Sequence, residues 1–311
     1  MANKSSAKKP PAKGTNAKAS NGRPAGLFTW IAVGLVVVVV AALVIIKVVS
    51  GPATTTTTGA FQPTDATTVS ELTTIPSSVF NTVGITSPVA PVSPPVQLKG
   101  QPLLTGTSST GTKVPKVLYV GAEYCPFCAA QRWSTIIALS RFGTWKGLGN
   151  TTSSSIDIYA STPTFTFVKA SYSSKYLAFT GIEELNNVYN PATKTYGPLQ
   201  TPTPAEQAVF SKYDTPKYIK TMTAADTGAI PFVSFANQFA QSGASYTPAT
   251  LAGLTRSQIA GALSDPTSPV TAAIIASANY QVAALCKLTN EQPSNVCTSS
   301  GVVAAKKAMK L

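Results

Sequence analysis

Hydrophobic positions along the chain change their spacing three times. From Leu27 to Ile46 the run LFTWIAVGLVVVVVAALVII is uncharged over 20 residues, and at about 1.5 Å per residue it matches the roughly 30 Å hydrocarbon core of a bilayer. It predicts a transmembrane helix, with residues 27–49 as the anchor segment. Residues 51–97 then alternate Thr, Ser and Pro with few large apolar side chains, as in GPATTTTTGA and TSPVAPVSPPV. Too little apolar surface is available there for a core, so residues 50–97 read as an extended, disordered stalk, either a plain tether or an O-glycosylated one.

The third regime begins near Val114. KVLYVGA, residues 116–122, is a short apolar run rich in β-branched and aromatic residues and predicts a buried strand. The period then becomes helical, because Ala129, Trp133, Ile136, Ile137 and Ser140 fall on one face. Pro126 suits the first turn of that helix and Gly143 its end. Further on, SIDIYAST (155–162) and TFTFVKASY (164–172) read as sheet, and TPAEQAVFSKYD (203–214) as helix. QSGASYTPATL (241–251) suggests a hairpin, TRSQIAGALSD a helix capped by Thr255, and PVTAAIIASANYQVAALCKLT a longer apolar helix.

Charge sharpens the topology. Residues 1–26 carry Lys4, Lys8, Lys9, Lys13, Lys18 and Arg23 with no acid, a basic arm that cannot fold alone. With Lys47 the one cation just beyond the apolar run, the positive-inside rule places the N-terminus in the cytoplasm and everything after residue 50 outside. An uncleaved anchor is favoured over a cleaved signal peptide, whose apolar core is about 7–15 residues long and which would need a small-x-small cleavage site. The net charge of +13 is therefore unevenly spread: residues 1–49 hold seven cations and the basic tail (301–311) three more, Lys306, Lys307 and Lys310. Of the 24 cations, 14 remain against all 11 acids, so the outer domain is nearly neutral. The basicity belongs to topology and to anionic lipid, and nucleic acid is not an expected partner.

Two of the four cysteines, Cys125 and Cys128, fall at the predicted junction of strand and helix. Unpaired N–H groups and the positive end of the helix dipole stabilise an anion there, which lowers the pKa of the first thiol. Thiolate is the attacking species in disulfide exchange, and a second thiol three residues on can close on the mixed disulfide and release the substrate. Cys125 is thus the candidate nucleophile and Cys128 the resolving thiol. Cys286 and Cys297 enclose KLTNEQPSNV. Outside the cytoplasm they predict a structural disulfide worth on the order of 3 kcal/mol, favoured over a relay pair that would exchange electrons with the first. No metal and no cofactor is expected: C-x2-C with a distant C-x10-C matches no common zinc spacing, and the absence of histidine removes His-based triads and copper delivery by a Cys–His set. Phosphate-cradling glycine loops are missing as well.

The segment AEYCPFC resembles the active-site stretch of the thioredoxin superfamily, and TGAIPFVSFAN, with Ile230–Pro231 opening an apolar run, resembles that superfamily's cis-proline loop and following strand. The region from about 98 to 300 further resembles an uncharacterised family of membrane-anchored prokaryotic proteins with a thioredoxin-like domain. The resemblance implies an α/β, thioredoxin-like domain over 98–300, with an insertion between the active-site helix and the cis-proline strand. It also implies a backbone contact to substrate at Pro231. Tyr124, Pro126 and Phe127 beside the cysteines, with Ile230 and Pro231, are the candidate substrate-binding residues. Two departures stand out. Tyr119 occupies the position of thioredoxin's buried aspartate and Gly121 that of a tryptophan, which argues against a cytosolic-type reductase. The Pro-Phe dipeptide is closer to those of glutaredoxins and periplasmic disulfide-forming enzymes.

The expected function is therefore a single-pass, membrane-anchored, extracytoplasmic thiol–disulfide oxidoreductase. Its substrates would be thiols and disulfides of secreted or surface proteins, with oxidation or isomerisation preferred over reduction. Family analogy supplies a quinone-linked membrane oxidase as the partner an oxidant needs. The rival reading is a redox-inactive binding module on the same scaffold, held by two structural disulfides.

Overall fold

A computed structural model describes residues 61–311; the basic arm, the predicted transmembrane helix and residues 50–60 lie outside the described residues. The fold is mixed α/β, and it starts earlier than the sequence pattern suggests. A short strand β1 (Gln62–Pro63) leads into helices α1 (Ala66–Thr73) and α2 (Ser77–Val83). Asp65 caps α1, its carboxylate accepting the Thr68 N–H at 2.9 Å. Leu72, Ile75, Val79, Phe80 and Val83 are all buried in the main core. The expected stalk is therefore corrected over residues 61–97, which are part of the folded unit. Five apolar side chains at helical spacing suffice, because the rest of the core supplies the opposing surface.

Strands β2 (Val96–Gln97) and β3 (Thr105–Thr107) precede β4 (Lys113–Gly121), whose second half, Val117–Gly121, is fully buried. Helix α3 (Pro126–Ser140) follows. The chain then runs through β5 (Thr144–Lys146), β6 (Gly149–Thr152), β7 (Pro163–Thr166) and β8 (Ser171–Ser173) before β9 (Ala178–Glu183) returns parallel to β4. A hairpin of β10 (Leu185–Asn190) and β11 (Thr195–Pro198) and helix α4 (Pro204–Tyr213) come next, and then the antiparallel pair β12 (Phe232–Phe235) and β13 (Phe239–Ser242). The six-stranded sheet has the order β2-β13-β12-β4-β9, with β3 on the first residues of β4. Two sequence expectations are corrected here. Residues 155–162 are turns rather than sheet, with Ile156 and Ile158 exposed. The hairpin turn lies at residues 236–238, two of them with positive φ (Ala236 and Asn237), rather than within 241–251.

Helix α4 begins with a full capping box between Thr203 and Glu206. Its C-cap, Asp214, accepts the Gly228 N–H on its main-chain carbonyl at 3.2 Å and so ties the loop before Ile230 to the helix. Burial pushes the Asp214 carboxyl up to about 6, outweighing the pull of the nearby Ser242 hydroxyl and the Gly228 and Ala229 amides. With the folded pKa above the unfolded one, ionisation is penalised. The penalty is absent below about pH 3.8, grows between the two values and is complete above about 6. Asp214→Asn is expected to stabilise the fold by about 1–2 kcal/mol at pH 8, allowing for solvent screening, and by nothing at pH 3.5. Denaturant unfolding at the two pH values measures the difference.

The C-terminal region is helical. α5 (Arg256–Ala262) carries the expected Thr255 cap, completed by Gln258. α6 (Pro269–Leu288) is long and apolar enough to cross a bilayer, but 89% of its apolar window is buried inside the protein, against α2, α3 and α8. α7 (Ser294–Cys297) and α8 (Ser300–Met309) close the chain. The expected basic tail is thus a helix with Val302 and Ala305 in the core. It ends in an αL residue, Lys310, and Lys306 and Lys307 lie in its last turn, where cations favour the helix dipole.

Candidate dithiol site

The register of the sheet decides which residues meet. Phe232 pairs with Val120 in the antiparallel β12–β4 ladder, so the Ile230–Pro231 peptide lies opposite the turn that follows β4. On the other side, Glu183 pairs with Gly121 in the parallel β9–β4 ladder, which places the β10–β11 hairpin beside the same turn. Cys125 N-caps α3 and Pro126 opens it. All of α3 from Cys128 to Leu139 is buried rather than only the apolar face expected from its periodicity. Its polar residues are consequently partnered: Gln131 accepts the Ser245 N–H at 2.9 Å, and Thr135 donates to Gln281 at 3.0 Å.

Cys125 is 6% exposed and Cys128 fully buried. The Cys128 amide donates to the Cys125 sulfur at 3.3 Å, and the Cys125 thiol lies 3.7 Å from the Ile230 carbonyl oxygen, to which it donates. The Ile230–Pro231 bond is cis. The two thiols are driven apart in acidity. Cys125 is lowered, chiefly because the Cys128 thiol donates to it, with the amides of Cys128 and Phe127 and the charge of Arg132 adding to this against the effect of burial. Burial, and then Cys125 itself, hold Cys128 well above the usual thiol range. Cys125 therefore gives up its proton more readily than its neighbour does.

The other predicted residues gather around this pair. Phe127 is 42% exposed and meets Tyr159 edge-on at 6.1 Å. Tyr124 stacks on Tyr196 of β11 at 4.2 Å, and burial pushes its hydroxyl up to about 12. The Ser154 N–H donates to the Tyr124 carbonyl at 2.8 Å, fastening the 154–162 turn to the site. Cys286 and Cys297 are bonded to each other, and both are buried.

Three groups in the surroundings escape sequence reasoning: Tyr196, Arg132 and Glu183. Arg132 lies fully buried on α3 and forms a bidentate pair with Glu183, Nε–Oε1 2.8 Å and Nη2–Oε2 2.5 Å. The only hint in the sequence is a cation one turn after Cys128 within a helix otherwise without charge, and its partner is 51 residues away.

Residues 105–287 match the protein family described as a domain of unknown function (DUF929). The matched span runs from β3 to the last turn of α6 and contains Cys125, Cys128, Ile230 and Pro231. No curated protein and no solved structure matches the chain.

Proposed function

The chain belongs to the DUF929 family, and on that premise we propose that it is a thiol–disulfide oxidoreductase of thioredoxin-like fold. Cys125 attacks, Cys128 resolves, and the main chain at Ile230–Pro231, with Tyr124, Pro126 and Phe127, receives the substrate. The observation that carries this reading is the Cys125 sulfur at the start of α3, held by the Cys128 amide and beside the Ile230 carbonyl. A thiol with lowered pKa in front of one with raised pKa is the asymmetry that two-step exchange requires. The arrangement of strand, C-x-x-C helix and adjoining proline-led hairpin supports the thioredoxin-like assignment. We further propose that residues 27–49 anchor the protein in the cell membrane, with this domain on the extracytoplasmic side. The buried Cys286–Cys297 disulfide fits such a compartment. Oxidation or isomerisation of secreted proteins suits that location better than reduction, with a quinone-linked membrane oxidase restoring an oxidant.

The reduction potential of the Cys125/Cys128 pair, measured by equilibration in glutathione buffers, tests the reading. A value between about −270 and −120 mV is expected of a working exchanger, the upper part of that range marking an oxidant. A value below about −300 mV would replace the enzyme with a scaffold whose C-x-x-C is a structural disulfide.

A further inference from the structure

One turn beyond Cys128 on α3 begins a buried charged pair that the exchange chemistry described above does not use. Arg132 stands one turn after Cys128 on α3, and side chains four apart on a helix share a face. A helical side chain also leans toward the N-terminus of its helix, over the preceding turn. Arg132 follows this direction: its Nη2 reaches back past the start of α3 to donate to the Ala122 carbonyl at 2.6 Å. Glu183, at the end of β9, holds Nε and Nη2. Nη1, buried, has no hydrogen-bond partner. An unpaired buried donor on a charged group is costly and calls for an acceptor.

The two departures from the thioredoxin pattern adjoin the same pair. The Tyr119 ring lies 5.8 Å below the guanidinium. A Cβ on Gly121 would approach within 2.3 Å of the Tyr119 hydroxyl, so the tyrosine fits only because residue 121 has no side chain. Where thioredoxin buries an acid beneath the resolving thiol, this chain buries a cation with its counter-ion one strand away. Burial opposes the charge on Arg132, but Glu183, Tyr119 and Cys128 together outweigh it and the guanidinium stays ionised. Arg132 also lowers both thiols, partly offsetting the burial that raises Cys128.

We propose that Arg132 is a positioning residue for the resolving step, the counter-cation of the Cys128 thiolate, aimed by Glu183 and the Ala122 carbonyl. The inference rests on the dithiol-exchange reading. In the resolving step Cys128 gives up its proton and its sulfur attacks the Cys125 sulfur of the mixed disulfide. The bond from Cys125 to the substrate sulfur breaks, and the substrate leaves with that electron pair and takes up the proton. The substrate is reduced and the cysteine pair oxidised; oxidation of a substrate runs the same steps backwards. The thiolate exists only transiently in a fully buried place, which is where a fixed positive charge has its largest effect.

Reduced full-length protein mixed with the chromogenic disulfide dithiobis(nitrobenzoate) releases one coloured thiolate when Cys125 attacks and a second when Cys128 resolves. In the paired substitution Arg132→Met with Glu183→Gln, which leaves no buried charge unpaired, the second phase is expected to slow about tenfold at neutral pH. Loss of a nearby cation raises a thiol by up to about three units, and the simultaneous loss of the opposing Glu183 carboxylate holds the net rise to about two. That removes about a hundredfold of the thiolate, and the greater nucleophilicity of the more basic sulfur returns about tenfold. The first phase changes by less than about threefold, the midpoint of the second-phase pH profile moves up, and Arg132→Lys restores it. Equal slowing of both phases, or an unmoved midpoint in a folded variant, would reduce the pair to a staple between α3 and β9 and overturn the proposal. If the paired variant does not fold, Glu183→Gln decides. Freeing the guanidinium from its counter-ion moves the midpoint down, and an unchanged midpoint overturns the proposal. A second phase missing from the unaltered protein would remove the exchange reading itself, and this inference with it.

Discussion

Cys128→Ser is expected to trap the protein on its substrates. Cys125 in this variant still attacks a disulfide, but no second sulfur follows, so mixed disulfides accumulate as reducible high-mass bands on non-reducing gels. Cys125→Ser forms none and loses dithiol exchange by at least about a thousandfold, since the remaining thiol is fully buried and holds its proton. Serine changes one atom of the side chain and its hydroxyl can donate to the Ile230 carbonyl as the thiol does, so thermal unfolding of Cys125→Ser stays close to that of the parent protein. The ordering of the two variants carries the information. Equal adducts from both, or exchange that survives Cys125→Ser, would sink the assignment of attacker and resolver and favour a scaffold with a structural C-x-x-C.

The site was legible in the sequence where its chemistry is local. Cys125, Pro126 and Cys128 announce a helix start by residue type and spacing alone, and Ile230–Pro231 stands out because a proline opens an apolar run. The structure brings the Ile230 carbonyl to 3.7 Å from the Cys125 sulfur, although the two residues are 105 positions apart in the chain. What stayed hidden is what depends on register. Glu183 reaches Arg132 only because β9 pairs in parallel with β4 so that residue 183 meets residue 121. Tyr196 reaches Tyr124 only through a hairpin that shifts register between Leu185 and Tyr189. Periodicity along one segment carries no information about its neighbour in a sheet. The same limit explains the helix read as amphipathic: α3 shows an apolar face, but α6 covers part of its polar one and satisfies Ser134 and Thr135 through Gln281.

The fold was least legible before residue 98. Composition there is dominated by Thr, Ser and Pro, and it outweighed a sparse apolar pattern in which Leu72, Ile75, Val79, Phe80 and Val83 follow helical spacing through the break at Pro76. Such helices are too short to be stable alone and owe their existence to the surface they cover. Phe80 is the sharpest test. Its side chain is 2% exposed and its ring lies 4.3 Å from the Arg141 guanidinium in a cation–π contact. Its carbonyl accepts from the Asn279 side chain of α6 at 2.9 Å. Gly301 of α8 comes so close to that carbonyl that an added Cβ would stand 2.3 Å from it. Phe80→Ala is expected to cost about 3–5 kcal/mol, lowering the melting temperature by about 6–20 °C for a domain of this size. Thr82→Ala, on the exposed side of the same helix, changes stability by less than about 0.5 kcal/mol. Dithiol exchange survives Phe80→Ala below its melting temperature, because the contacts named for Phe80 include none with the cysteine pair. A tether would tolerate either substitution alike, and removing it altogether would leave the domain unchanged. Equal melting temperatures for Phe80→Ala and the parent would return residues 61–97 to the role of a stalk.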